Sequence, residues 1–186
     1  MQILIQAPDR LCNFSWTAVA ALAAVATAVI IFFQVRQEAR LNRLTMGVDS
    51  LLRLSEDWNS PRMTRIRRLA AKALLDGNPD ANVDTVLDWF ETVALMVRRG
   101  GFDEEFTWHT FYVWMAHYWV AGQDYIRDTQ ADEGEITWGD FSKLMPRLFA
   151  REAGSEKWTP AEVYPSMGDV QTFLEDEAQL EGGGAN

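Results

Sequence analysis

The sequence predicts an all-α protein: an N-terminal transmembrane helix continuing into a stalk, then a compact helical bundle of about four to six helices. Three observations carry that expectation. Leu11 to Phe33 is a run of twenty-three residues without a charge. Beyond Trp58, apolar residues recur at helical spacing between clear Ser, Asp, Pro and Gly punctuation. No stretch reads as strand-rich, and no internal repeat is visible.

The uncharged run sets the first element. Crossing roughly 30 Å of hydrocarbon at about 1.5 Å per residue needs about twenty residues. Ten of the twenty-three are Leu, Ile, Val or Phe. At about −0.3 to −0.6 kcal/mol each they favour insertion by roughly 3 to 6 kcal/mol. A cleaved signal peptide fits less well, because the run is long and the only basic side chain before it, Arg10, stands beside Asp9. Arg36, Arg40 and Arg43 follow the run, so the positive-inside rule puts the remainder in the cytoplasm. The expected organisation is an extracytoplasmic tail (1–10), a span (11–33), a helical stalk (34–58), an acidic helical domain (59–180) and a disordered tail (181–186).

Within the domain, Ser60 reads as an N-cap with Pro61 in the first helical position. That helix places Met63, Ile66, Ala70, Ala73 and Leu74 on one face and stops at Asp76-Gly77-Asn78-Pro79. A helix from about Val83 to Arg99 turns Val86, Phe90, Val93, Ala94 and Val97 inward, and Gly100-Gly101 ends it. Asp103 caps the next helix, which is expected to reach about Arg127. It carries a broad aromatic stripe through Trp108, Phe111, Tyr118 and Trp119, with Val113, Ala116 and Val120 on another side. This spread implies a central helix packed on most of its circumference. After a loop at 128–135, Thr137-Trp138-Gly139-Asp140 resembles a capping box, and Pro146 is expected to kink or end the helix that follows. Thr159-Pro160 opens a short turn, and Ser166 or Asp169 starts a last helix to about Leu180.

Charge narrows the function classes. The chain carries a net charge of −10, but residues 34–72 hold nine Lys/Arg against four Asp/Glu, whereas 76–186 hold seven against twenty-two. The acidic bulk argues against general nucleic-acid binding. The lone Cys12 forms no internal disulfide, which suits a reducing compartment. The basic cluster Arg62, Arg65, Arg67, Arg68 and Lys72 has three readings, of which nucleic-acid binding is the least favoured, beside contact with an anionic inner leaflet and ion pairing with the acidic remainder. Arg65 falls nearest the packed face and is the member expected to be paired internally.

Candidate chemistry is sparse. Glu105 and His109 stand four apart, and His117 and Asp124 seven apart, so each pair shares a helix face and could contribute to a metal site. No Glu-x-x-His pair accompanies them, and the histidines point in different directions, so a hydrogen-bonded or partly exposed histidine is the plainer expectation. No nucleophile elbow or phosphate loop is present, and no catalytic residue or cofactor is expected. Ala20, Ala23, Thr27, Ile30, Leu41, Leu44, Val48 and Leu51 keep one heptad phase along the span and stalk. Small residues in lipid and leucines beyond it make a candidate seam for homo-oligomers.

Several stretches together resemble a family of short single-pass bacterial proteins known only as a domain of unknown function. They include Trp58-Asn59-Ser60-Pro61-Arg62-Met63, Arg67 through Leu75, Val86 through Val93 and Arg98 through Glu105. Trp108, Phe111, Tyr118 and Tyr125-Ile126-Arg127 continue them. The likeness covers about residues 41 to 150; the segment after about 155 departs from it. It implies an N-terminal anchor, a helical domain and a bacterial source, and carries over no catalytic residues. The expectation is therefore a non-enzymatic adaptor or regulatory protein at the bacterial inner membrane, with a protein partner. The alternatives are a metal- or ligand-binding bundle enzyme, with Glu91 joining the candidates above, and a small membrane-associated defence or stress effector.

Overall fold

The computed structural model describes residues 19–21, 24, 27–36, 49, 50, 52–156 and 163–180. The chain divides into two compact units, Met1–Arg43 and Leu44–Asn186. In the first, residues 27–36 are helical, and Val29, Ile30, Ile31, Phe32, Phe33 and Val35 are all exposed. Much of the expected span, the seam residues Ala23, Leu41, Leu44, Val48 and Leu51, the turn at Thr159-Pro160 and the tail 181–186 lie outside the described residues. Ala20, Thr27 and Ile30 are helical and exposed. Among the described residues no helix is long and apolar enough to cross a membrane.

The second unit is all-helical among its described residues. A segment at 52–58 leads into α1 (Pro61–Leu75), followed by α2 (Ala81–Arg98), α3 (Glu104–Glu133), α4 (Gly139–Glu156) and α5 (Met167–Ala178). Most helix starts follow the local rules. Ser60 accepts from the Met63 amide at 3.2 Å with Pro61 beside it, and Asp80 accepts from Asn82 at 2.9 Å. Asp103 accepts from the Glu105 and Phe106 amides at 2.9 and 3.1 Å. Ser166 and Asp169 make a reciprocal capping box, and that bond holds the Asp169 carboxyl below its ordinary range. Gly77 and Gly100 end α1 and α2 at φ 67° and 70°, a conformation an L side chain rarely adopts.

α2 packs against α1, α3 and α4, and α3 also meets α4 and α5. The centre is aromatic. Phe90 lies 5.1 Å from the Trp58 ring, 5.2 Å from Phe141 and 5.8 Å from Tyr118, and all four are fully buried. The inward residues expected of α2 are all buried.

Four expectations are corrected. α3 continues six residues beyond Arg127 to Glu133, so most of 128–135 is helix. Gln130 makes that last turn worthwhile, donating to the Thr137 carbonyl at 2.7 Å and to the Ser142 hydroxyl at 3.1 Å. α3 is also less enclosed than its composition suggests, because Phe106 and Val113 face outward. α4 does not end at Pro146, which is exposed; it continues beyond it, with Phe141, Leu144, Met145, Leu148 and Phe149 anchoring the helix on both sides. The fourth correction concerns the start of α4. Thr137 does not cap it; its hydroxyl donates to Glu133.

Instead the two carboxylate oxygens of Glu91, on α2, accept from the Asp140 and Phe141 amides at 3.1 and 2.7 Å. A helix start is thus capped from another helix. The approach is fixed by Trp138, which sits in the left-handed region at φ 51° and donates its indole N–H to Asp88 at 2.8 Å. One turn earlier, Asp84 accepts from the Tyr125 hydroxyl at 2.6 Å. Asp84, Asp88 and Glu91 stand at i, i+4 and i+7, one face of α2, and zip it to α3 and α4. Glu91→Ala should cost about 1 to 2 kcal/mol, the magnitude of a lost N-cap. Hydrogen exchange should accelerate first at the amides of Asp140 and Phe141.

Candidate functional site

Among the described residues, the ion pair with both partners buried is built around Arg67. The helical period of α1 puts Met63, Arg67, Ala70 and Ala71 on its buried face, and Arg67 is only 5% exposed. Arg65, expected to be the paired member, is exposed, as are Arg62 and Lys72. The buried face keeps Met63 and Ala70 of the expected stripe but turns toward Arg67 and Ala71 and away from Ile66 and Ala73, a small rotation about the helix axis that the arginines interleaved with Ile66 and Leu69 do not resolve.

The guanidinium of Arg67 is held from every side. Its Nε donates to Glu177 Oε2 at 2.8 Å, and Nη2 makes a second, short bond to Oε1, so the pair is bidentate. Nη1 donates to the Trp58 carbonyl at 3.3 Å. The cation lies 4.6 Å from the centre of the Trp58 ring and 5.8 Å from that of Trp114. The Tyr118 hydroxyl donates to the backbone carbonyl of Arg67 at 3.2 Å. Glu177, 110 positions away on α5, is 6% exposed. Burial, reinforced by the nearby Glu177 charge, pushes the Tyr118 phenol far above its ordinary range. The Trp58 indole N–H lies buried beside this pair and has no acceptor among the described protein atoms.

The other sequence-predicted residues do not converge. Glu105 pairs with Arg151 at 3.5 Å, and the His109 ring packs on Trp108 at 4.4 Å. His117 donates from Nδ1 to the Val113 carbonyl at 2.6 Å and stacks on Phe173 at 4.4 Å. Asp124 is exposed and pairs with Arg127 at 3.0 Å. Among the described residues no group of three or more His, Cys, Asp and Glu side chains is placed to hold a metal ion. Glu91 is engaged as the cap described above. Glu177 is the site residue that sequence reasoning missed. Its one visible signal was its phase, since Val170, Phe173, Leu174 and Glu177 recur at helical spacing with the carboxylate as the last of the four.

These features define a small all-helical domain in which carboxylates latch helices together through tryptophan, tyrosine, arginine and backbone N–H groups. The chain belongs to the DUF4760 family, a domain of unknown function, whose model matches residues 17–148. The match starts well before the expected 41 and ends before α5. No curated protein and no solved structure gives a significant match.

Removing one member of a buried pair leaves the other as an uncompensated charge. Arg67→Met should therefore destabilise the domain by about 3 to 5 kcal/mol. Adding Glu177→Leu should recover most of that loss, and urea titration of the two single variants and the double measures the coupling. A second expectation concerns alkaline pH. Burial raises the Tyr112 phenol, and burial with the Asp84 bond raises Tyr125 to about 12. Unfolded tyrosines ionise near pH 10, so these neutral phenols favour the fold fully below about pH 10 and lose that contribution above it. Absorbance at 295 nm should show most of the tyrosine signal titrating late and together with unfolding.

Proposed function

We propose that this protein is a membrane-tethered, non-enzymatic helical adaptor, anchored through its N-terminal segment with the helical domain on the cytoplasmic side. The observation that carries the anchor is the helix at 27–36, on which every large apolar side chain from Val29 to Val35 is exposed. In water such a surface is unfavourable by roughly 25 cal/mol for each Å². The uncharged sequence run Leu11–Phe33, which this helix overlaps, is long enough for a bilayer, and the arginines that follow favour the inner side. The adaptor reading draws on the second unit, where carboxylates and aromatic N–H and O–H groups are engaged with one another. Arg62, Arg65 and Lys72 stay exposed on α1, able to meet anionic headgroups or an acidic protein.

The anchor is tested by alkaline carbonate extraction of membranes carrying the full chain. Retention in the pellet is expected, and release of the wild type to the supernatant overturns the anchor. A charge near the centre of the run, Ala24→Arg, opposes insertion by about 2.5 to 3.5 kcal/mol and should move a large share of the protein to the soluble fraction. Crosslinked pull-down from native membranes tests the adaptor role, for which a stoichiometric heterologous protein is the expected result.

A further inference from the structure

α5 is placed unlike the other helices. α1 and α3 make little direct backbone contact with each other, and α5 lies against both, most extensively against α1. It enters the groove between them with Val170 and Leu174 buried and Phe173 packed on His117 and Tyr118. Its fourth anchor is Glu177, on Arg67. This is the recognition mode of an amphipathic helix in a groove, with anchors at i, i+3, i+4 and i+7.

Charge reinforces the match. α1 carries Arg62, Arg65, Arg67, Arg68 and Lys72 and no acidic residue, whereas α5 carries Asp169, Glu175, Asp176 and Glu177 and no basic one. A basic wall thus receives an acidic helix. The groove lies within the part of the chain that matches its family, and the helix filling it lies beyond the matched residues.

We propose that the α1–α3 groove is a docking site for an acidic amphipathic helix of a partner protein, and that α5 is its built-in occupant, displaced when the partner binds. The partner helix presents apolar residues at its first, fourth and fifth anchor positions and a carboxylate at the eighth, where Arg67 receives it between Trp58 and Trp114. This deepens the adaptor reading and rests on it. A carboxylate is required because a purely apolar helix would leave Arg67 buried and unpaired. The covalently attached α5 competes at high effective concentration, so only a well-matched helix displaces it. Steering by opposite charge makes the exchange salt-sensitive.

The probe is a labelled synthetic peptide of residues 163–180, added to the full chain in detergent. In wild type α5 already fills the groove, and binding should be weak. Leu174→Asp puts a charge in the groove contact, releases α5 and should raise peptide affinity at least tenfold. A peptide carrying Glu177→Arg should not bind that variant, but should bind once Arg67→Glu is added to it. Raising salt should weaken the matched complexes. Failure of Leu174→Asp to bind the peptide while its far-UV helicity is retained overturns the proposal. So does hydrogen exchange of the wild type in which α5 amides are protected as strongly as those of α2. The expected result there is exchange at least a hundredfold faster in α5, a readout independent of any variant's folding. Dimerisation of the wild type by exchange of α5 between copies would overturn the assignment to a separate partner. Each of these results is independent of the pull-down, which judges the adaptor reading itself.

Discussion

Arg67 is the residue around which the domain has to close. A guanidinium taken out of water is costly, by several kcal/mol even after relaxation, unless its donors are used and its charge is balanced. Here the two parallel bonds to Glu177 balance it, the Trp58 carbonyl takes a further donor, and two indole faces supply the walls. Each of these partners comes from a different part of the chain: the segment before α1, α3 and the last helix. None can withdraw without exposing or orphaning the cation, so one side chain ties the first and last thirds of the domain together. Arginine suits the position better than lysine, because its planar fork meets a carboxylate with two bonds while its face stacks on an aromatic ring.

The same device is repeated in milder form along α2. Asp84, Asp88 and Glu91 would read as a solvated helix face, yet they accept from Tyr125, from Trp138 and from the open amides of α4. Asp57 and Glu152 do likewise for Trp89 and Trp108. Large aromatic residues bring area for burial and one polar handle each, and a buried handle needs an acceptor. Trp89, Trp108 and Trp138 are each matched with a carboxylate in this way, whereas the buried Trp58 N–H is not. Part of the protein's acidic character is thereby structural, while Asp124, Asp128, Asp132 and Glu133 of α3 and Asp169, Glu175 and Asp176 of α5 stay exposed, as do the basic Arg62, Arg65 and Lys72 of α1.

A carboxylate in a bidentate arginine clamp is well suited to specificity as well as stability. An apolar groove accepts any helix of the right shape at modest cost. Adding one buried cation makes the groove reject helices that lack a carboxylate in the right phase. α5 lies beyond the residues that match the family, so this selective contact falls on an element outside the matched region.

What the sequence by itself determined was local. Helix starts at Ser60, Asp103 and Ser166 and stops at Gly77 and Gly100 depend on bonds between residues a few positions apart, and the inward face of α2 depends on helical period alone. Membership of an uncharacterised helical family was also legible, because its residues fall in those same segments. Only the tertiary structure decided which arginine of α1 turns inward, that Glu177 meets it, and that Glu91 rather than Thr137 caps α4. Those outcomes depend on contacts between residues some 50 to 110 positions apart, where each side chain's charge reads the same whether it faces water or a partner. A helical pattern fixes which residues share a face. Which face is buried, and against whose carboxylate, is set by the summed packing of all five helices.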